Sequence, residues 1–417
     1  MSKLSAVRAR VLSAVSRDEV VAELYARGAD AAAVSAVVAG GLGRAMLVGP
    51  LPLAEAQTLR KAAAGAGAKA VLSRPAGRSD PARAEVVVIA TDSQLSALAE
   101  ALGGELGPRL QGALDGFLRP ARRLLRCREH MLALGEKTLV MGVVNLTPDS
   151  FSGDGVSDAA AAIAQGKRMV EEGADLLDVG GESTRPGAAP VALEEELTRV
   201  LPVVDGLTRE VSVPISIDTY KSAVAKAALA NGASIVNDIS GLRADEDMAR
   251  TAADAGAAVV VMHIQGTPRD MQKDPRYADV IGEIGDYLEE GIGIAEAAGI
   301  ARDRVVIDPG IGFGKTLEHN LEILRRLREF RCLGCPVLVG PSRKAMIGAI
   351  LDLPVEHRVE GTAATVALAI QAGADIVRVH DVKEMVRVAR VADAIVRTEH
   401  APPPGSEHKW AHEREQE

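Results

Sequence analysis

Polar and charged side chains stand at the ends of short apolar runs in the last two thirds of the chain, where a hydrophobic segment does not need them. The carboxylates and amides suit a heterocycle that carries both hydrogen-bond donors and acceptors, and the cationic side chains suit an anion. An asparagine oxygen is also a ligand that a hard cation such as Mg²⁺ accepts. These residue types describe a site for a polar, flat ring beside an anion, with a metal ion as an option. The residues are Asn145, Asp218, Asn237, Asp308, Lys344, Arg378 and His380.

Glycines that follow Asp308 resemble two phosphate-binding motifs without completing either. Residues 314–316 (GKT) match the end of a P-loop, but Pro309 occupies the position of its first glycine. The alternating glycines of residues 310–314 would need one more at the position of Leu317 to form a dinucleotide fingerprint. We therefore interpret these glycines as places where the backbone approaches a ligand closely.

Several other polar residues have interpretations that the sequence leaves open. Asp178 and Glu182 suit a barrel-interior or loop-fixing role as well as a functional one. For His263, a histidine satisfied by local hydrogen bonds is favoured over a catalytic base. Arg343 suits a surface position beside Lys344.

The segments that must position these side chains repeat from residue 138 onward. Short apolar runs alternate with Ala-rich stretches of helix length, and many of the latter end at Gly-Ala, where glycine supplies a left-handed cap. Eight such units in about 260 residues match a closed (β/α)8 TIM barrel, whose chemistry lies where strands end and loops begin. A doubly wound open sheet fits less well, because it usually has fewer strands. The predicted strands are residues 138–146, 175–182, 214–219, 234–239, 258–264, 305–310, 336–340 and 376–380.

Residues 1–130 predict a separate small α/β domain of unknown role. No catalytic constellation is visible in it, so a structural or interface role is favoured over a second active site. The barrel domain is assigned to residues 131–399, and the Pro-rich, charged residues 400–417 are predicted to form a disordered tail. The predicted strands of the first domain are residues 44–51, 69–73 and 85–91, and its predicted helices are residues 53–64, 94–102 and 108–126.

Composition excludes several classes of protein. The net charge of -9 and an aromatic content of 2% argue against nucleic-acid binding. No twenty-residue stretch is apolar enough to cross a membrane. The chain has 3 cysteines, which fits a reducing compartment, and we expect a cytoplasmic protein. Cys332 and Cys335 have zinc-knuckle spacing, but without a second pair we favour thiols over a metal site.

Seven motifs along the predicted barrel resemble those of the dihydropteroate synthases and follow in the same order. The resemblance covers the whole barrel and none of the first 130 residues. One departure is Pro341, which precedes Ser342 where many members have another residue, and it affects loop geometry rather than charge. The motifs are residues 141–152 (MGVVNLTPDSFS), 178–187 (DVGGESTRPG), 216–219 (SIDT), 236–239 (VNDI), 308–315 (DPGIGFGK), 340–344 (GPSRK) and 378–381 (RVHD).

The resemblance implies a role for each candidate residue. Asp308 and Asn237 would hydrogen-bond a pterin ring with Asp218 beside it, Lys344 would reach the ring carbonyl and a ring nitrogen, and Arg378 would stack on the ring face. Asn145, through Mg²⁺, and His380 would hold the diphosphate. Ser342 at the start of a helix would meet the carboxylate of p-aminobenzoate. The other residues around that second substrate would be Thr184, Arg185, Pro186 and Phe313.

The implied reaction is the condensation of a dihydropterin methyl diphosphate with p-aminobenzoate by an SN1-like route, in a homodimer. Two alternatives remain open at this point. A pterin-dependent methyltransferase on the same barrel would keep the Asp and Asn at the strand ends but would not need residues 183–187 (STRPG) or 342–344 (SRK). A catalytically dead pterin-binding protein would have lost residues such as Asn145 or Lys344, and neither is lost.

Overall fold

The computed structural model describes most of the chain in two packed domains. The residues that it describes are 8–12, 17–31, 34, 43–73, 82–118, 123–146, 155–185 and 187–397. The predicted tail at residues 400–417 lies outside this part of the chain. None of the described helices is long and apolar enough to cross a membrane.

The N-terminal domain is an antiparallel sheet with helices on both faces. Successive side chains of each strand point to alternate faces of the sheet, so that Val86 and Val88 pack with Leu59 while Val87 packs with Leu24. The sheet order is β1-β2-β4-β3. The strands are β1 (Arg8–Val11), β2 (Arg44–Pro52), β3 (Lys69–Ser73) and β4 (Arg83–Ala90). The helices are α1 (Arg17–Ala26), α2 (Leu53–Gly65), α3 (Asp92–Leu102) and α4 (Leu106–Leu118).

The predicted helix at residues 108–126 is wrong in its second half. Helix α4 ends at Leu118, and a hairpin follows, formed by β5 (Arg123–Cys127) and β6 (His130–Leu134). Burial in β5 alternates with a period of two, because Leu125 and Cys127 are buried while Arg126 is exposed. The hairpin spans the proposed boundary at residues 130 and 131, and its buried side chains pack into the barrel.

The second domain is the predicted (β/α)8 barrel. Its sheet order is β12-β11-β10-β9-β8-β7-β14-β13, with every pair parallel. A parallel bridge from Ile307 to Val337 joins the two ends of this order and closes the ring. The strands are β7 (Leu139–Asn145), β8 (Leu176–Gly180), β9 (Ile215–Asp218), β10 (Ile235–Asp238), β11 (Ala258–Met262), β12 (Val305–Asp308), β13 (Leu338–Val339) and β14 (Ile376–Val379).

Helices surround this ring and cover its apolar outer face. The main apolar core lies between strands and helices, and a second core fills the amino-terminal end of the barrel together with the hairpin. The helices are α5 (Gly155–Glu171), α6 (Leu193–Glu210), α7 (Ser222–Ala230), α8 (Met248–Asp254), α9 (Val280–Ala297), α10 (Leu317–Arg325), α11 (Ala345–Leu351), α12 (Val359–Gln371) and α13 (Val382–Val396). Short 3₁₀ segments cover Arg302–Arg304, Leu327–Leu333 and Val355–His357.

The N-terminal domain packs on the outside of the barrel, against the 3₁₀ segment Leu327–Leu333. Helix α4 approaches so closely at Gly116 that a Cβ there would lie 2.3 Å from the Arg331 carbonyl oxygen. The backbone N–H of Val11 lies 3.2 Å from Cys332 Sγ and donates to it. The two domains therefore share backbone-level contacts.

Candidate active site

Neighbouring barrel strands bring four candidate positions to one level at the carboxyl end. In the strand register Asn145 faces Gly180, Gly180 faces Asp218, and Asp218 faces Asn237. Gly180 leaves an opening in this row, because a Cβ there would lie 3.7 Å from Asn145 Oδ1 and 3.6 Å from Asp218 Oδ2. The row presents an amide, a carboxylate and a second amide side by side.

Arg378 lies on β14, the neighbour of β7, and bridges two carboxylates. Its Nε donates to Asp178 Oδ2 at 2.6 Å, and its second terminal nitrogen donates to Asp218 Oδ2 at 2.7 Å. Asn237 Nδ2 donates to the same Asp178 oxygen at 3.0 Å. Asp178 is fully buried, so this shared acceptor fixes the arginine and the asparagine relative to each other.

Burial perturbs the protonation of this group. It raises the pKa of Asp218 to about 7, although Arg378 acts in the opposite direction. The pKa of Arg378 is raised above its usual value, because Asp178 and Asp218 outweigh the effect of burial. Arg378 thus keeps its charge, while Asp218 can change its charge near neutral pH.

Asp308 and Lys344 form the other side of the site. Asp308 is buried and accepts from the Gly310 N–H at 2.7 Å, and burial raises its pKa to about 6. Burial, together with Arg378, lowers the pKa of Lys344 to about 8. Lys344 Nζ lies 4.2 Å from the centre of the Phe313 ring, a cation–π contact that holds the half-buried ring beside the ammonium.

Ser342 and His380 contact each other across the ends of β13 and β14. Ser342 Oγ accepts from the His380 backbone N–H at 3.1 Å and lies 3.0 Å from His380 Nδ1. Burial lowers the pKa of His380 to about 4, with Arg378 acting in the same direction, so the imidazole is neutral near pH 7. Helix α11 begins at Ala345, so Ser342 precedes the helix rather than starting it.

The loop after β8 carries the remaining candidates for the second substrate. Thr184 is half-buried and Arg185 is exposed, whereas Pro186 lies outside the described residues. The next N–H, that of Gly187, donates to the Pro268 carbonyl at 3.1 Å. This loop therefore contacts the loop that follows β11.

Two residues with open interpretations have structural partners outside the ring-binding row. Glu182 accepts from Tyr220 at 2.6 Å and from Lys221 at 2.5 Å, which supports its loop-fixing role. Arg343 pairs with Asp381 on the next barrel unit. Both therefore fix loops at the rim of the barrel.

Sequence reasoning underestimated Asp178 and missed Lys315. The sequence favours neither a structural nor a functional role for Asp178, yet Asp178 is the acceptor shared by Arg378 and Asn237. Lys315 is buried, and its Nζ lies 2.9 Å from His263 Nδ1 and donates to the Phe313 carbonyl at 2.8 Å. Burial and Lys315 lower the pKa of His263 to about 2, and the imidazole is locally satisfied as expected. Lys315 lies in the partial P-loop match at residues 314–316, but that motif does not indicate His263 as its partner.

The closed barrel and its charged rim define a protein that binds a polar heterocycle beside an anion, and comparisons with known proteins specify the family. A family model described as a pterin binding enzyme matches residues 141–380. The dihydropteroate synthase of a Synechocystis species is 48% identical over 265 residues, which are 63% of this chain and 92% of that protein. The chain belongs to the pterin-binding enzyme family and, within it, to the dihydropteroate synthases, which are transferases of folate biosynthesis.

Solved structures agree with this assignment. The Xanthomonas albilineans dihydropteroate synthase with 4-aminobenzoic acid is 44% identical, with a TM-score of 0.62, and covers 68% of this chain and 100% of that one. The Yersinia pestis enzyme in complex with a sulfonamide drug is 43% identical, with a TM-score of 0.63, and covers 65% of this chain and 98% of that one. The part of the chain that aligns with these structures is about as long as the barrel domain.

Proposed function

We propose that the chain condenses (7,8-dihydropterin-6-yl)methyl diphosphate with p-aminobenzoate to give 7,8-dihydropteroate and diphosphate. The observation that carries this proposal is the fixed group of Asp178, Arg378, Asp218 and Asn237. It offers a flat cation and adjacent hydrogen-bonding groups at one edge of the barrel, next to Lys344 and Asp308. A pterin ring needs donors, acceptors and a stacking face in that arrangement.

The proposed reaction begins with cleavage of the bond between the pterin methylene carbon and the diphosphate oxygen. The oxygen keeps the electron pair, and the dihydropterin ring delocalises the positive charge on the methylene. Asp218 and Asp308 stabilise this cation when they are ionised. The amine nitrogen of p-aminobenzoate then forms the new C–N bond and releases its proton to water or to the departing diphosphate. The amine is already nucleophilic, so neither a covalent enzyme intermediate nor a strong general base is needed.

The anion side of the site would be formed by Asn145 and His380. Mg²⁺ fits the donor chemistry there, because Asn145 supplies an amide oxygen and the diphosphate and water can supply the rest. Among the described residues no group of three or more His, Cys, Asp or Glu side chains is arranged to hold a metal ion. When bound, the ion would neutralise charge on the departing diphosphate.

The p-aminobenzoate subsite would lie between two loops. Phe313 would border its aromatic ring on one side, and Thr184 and Arg185 would lie on the other; Pro186, which the sequence resemblance also implies, lies outside the described residues. Ser342 would donate its hydroxyl hydrogen to the carboxylate. In that case Ser342 Oγ accepts from His380 Nδ1. A sulfonamide would compete with p-aminobenzoate here.

A homodimer is also part of the proposal. Helices α12 and α13 expose Leu368, Val391 and Ile395, with relative exposures of 60%, 62% and 74%. Apolar side chains on adjacent helices are typical of an interface. Sedimentation of the wild type and of Ile395→Glu tests this, since the variant should shift towards monomer. A cytoplasmic location is proposed on the basis of the free thiols of Cys127, Cys332 and Cys335.

The activity is tested with the purified full-length chain, both substrates and Mg²⁺, by following dihydropteroate and diphosphate together. We expect equal amounts of the two products and loss of turnover in excess chelator, restored by added Mg²⁺. Full activity in chelator would refute the metal proposal. Absence of product, with methyl transfer from a reduced folate to a corrinoid instead, would favour the methyltransferase.

A further inference from the structure

A partly buried carboxylate joins the N-terminal domain to the barrel at the start of α9. Asp279 Oδ2 accepts from Arg10 at 2.8 Å and from Arg27 at 3.3 Å. Its other oxygen accepts from the Gly282 N–H at 3.0 Å and so caps the helix. Burial alone would raise the pKa of Asp279, but the two arginines outweigh it and keep the pKa below its usual range. Asp279 therefore stays ionised and tied to both domains.

The chain just before Asp279 supports the glycine-rich loop beside Asp308. Tyr277, two residues away, donates its hydroxyl to the Gly314 carbonyl at 2.8 Å. Gln272 donates to the Gly312 carbonyl at 2.7 Å. These two carbonyls flank Phe313, so residues 264–279, here called the brace loop, hold the backbone on both sides of that ring.

The brace loop also contacts the other loop of the p-aminobenzoate subsite. The Pro268 carbonyl accepts from the Gly187 N–H at 3.1 Å. Within the brace loop, the Gln265 side chain donates to the Arg276 carbonyl at 2.9 Å and accepts from the Arg276 N–H at 3.1 Å. The two ends of the loop are thereby pinned together, and both walls of the subsite rest on one segment.

We infer that the N-terminal domain is a positioning element for the p-aminobenzoate subsite, and that Asp279 and the brace loop transmit its effect. This inference rests on the proposed function. Arg10 and Arg27 fix Asp279, Asp279 fixes the start of α9, and Tyr277 connects that point to Gly314. Fixing one end of a surface loop reduces the conformational entropy that substrate binding must otherwise remove. On the pterin side, Asp218, Asn237, Asp308 and Arg378 lie on barrel strands rather than on this loop.

The substitution Asp279→Asn tests the inference with little risk to folding. Asparagine can keep the cap on Gly282 through Oδ1, while its amide nitrogen replaces the oxygen that accepts from Arg10 and Arg27, so the charge and both acceptor contacts are lost. In this variant Arg27 keeps its ion pair with Glu85 at 2.8 Å, and Arg10 keeps its ion pair with Glu329 at 3.5 Å. We expect the KM for p-aminobenzoate to rise about three- to tenfold, the range of couplings carried by packed networks. The KM for the pterin diphosphate and kcat should stay unchanged.

A second variant and a matched control separate positioning from general destabilisation. Tyr277→Phe removes one hydroxyl and should raise the same KM, and the double variant with Asp279→Asn should show less than the product of the two effects. The control is Asp92→Asn, which breaks a 2.5 Å pair with Arg44 inside the N-terminal domain. It should leave both KM values at the wild-type level.

Hydrogen exchange gives a readout that needs no activity. In Asp279→Asn the amides of residues 310–316 should exchange faster than in the wild type, and those of β8 should not. Unchanged exchange, or equal rises of both KM values, would overturn the inference. If the wild type forms no dihydropteroate, the proposed function fails, and the exchange measurement still decides whether Asp279 holds the loop.

Discussion

The two ends of the barrel use the same strands for different purposes. At the amino end, Leu139, Leu176 and Ile235 pack with Leu125 of the hairpin in an apolar core. At the carboxyl end, the same strands finish in amides and carboxylates, of which Asp178 is fully buried and bonded to Arg378. A few residues along one strand therefore separate a packing surface from a charged surface.

This difference teaches where substitutions should affect stability and where they should affect chemistry. Buried apolar groups at the amino end gain from removal from water and have no directional requirement. Burying the charges at the carboxyl end costs free energy of desolvation. This cost is offset only when all members of the group are present, because removing one leaves its partner uncompensated. Selective effects at the two ends would confirm the division, and mixed effects would contradict it.

The largest effect is expected at the carboxyl end. Arg378→Ala and Lys344→Ala should each lower kcat/KM at least roughly a hundredfold, about 2.7 kcal/mol of transition-state binding. Both remove a cation from the proposed pterin site. Steady-state kinetics measure this, with Arg209→Ala on the exposed face of α6 as control. Near-normal kinetics in either variant would refute its assignment.

The next effect belongs to the amino end. Leu125→Ala should lower the free energy of unfolding by about 2–5 kcal/mol, because it leaves a cavity under the barrel. Denaturant unfolding measures the loss, and kcat/KM of the folded enzyme should not change. Leu124→Ala is the matched control, since Leu124 is the preceding residue of β5 and 48% exposed. A large loss of kcat/KM in Leu125→Ala would show that the two ends are coupled.

A pH profile of kcat/KM sharpens the description of the charged end. Asp218 and Asp308 must be ionised to stabilise a cation, and their raised pKa values of about 7 and about 6 predict falling activity as pH drops through that range. Lys344 must be charged, and its pKa of about 8 predicts a second fall as pH rises. Asp308→Asn should change the acid limb and move the alkaline limb to lower pH, because the Asp308 charge raises the pKa of Lys344. An acid limb unaltered by this substitution would contradict the assignment.

The smallest effect is expected from a charge at the amino end. Lys137 forms an exposed pair with Asp175, and such pairs contribute little in water. Lys137→Ala should change the free energy of unfolding by less than about 0.5 kcal/mol and leave kinetics unaltered. A change above about 1 kcal/mol would mean that surface charge matters at this end as well.

Barrel strands and strand-end residues were predictable because both follow from local patterns. The observed strand Ala258–Met262 lies inside the predicted residues 258–264, and Asp308 ends its strand as expected. Apolar runs mark buried parallel strands, and a polar residue at the end of such a run is conspicuous.

Contacts made across the ring were not predictable in the same way. The acceptor role of Asp178 depends on Arg378 lying 200 positions away in the chain. The pairing of Lys315 with His263 and the brace by Tyr277 depend on loop conformation, which periodicity does not encode. The first strand of the hairpin after α4 was predicted as helix as far as residue 126, because its short alternating pattern competed with a longer amphipathic one.

Strand β13 is only two residues long, and it lies where the ring closes. On the side towards β12 the described residues show one bridge, from Ile307 to Val337, supported by the Ile307 N–H donating to the Pro336 carbonyl at 2.9 Å. Among the described residues, this junction has fewer paired residues than any other junction of the ring. Asp308 follows Ile307 on one side of it, and Lys344 follows β13 on the other. The carboxylate and the ammonium group that are proposed to bind the pterin therefore lie on the two chain segments that meet at this closure.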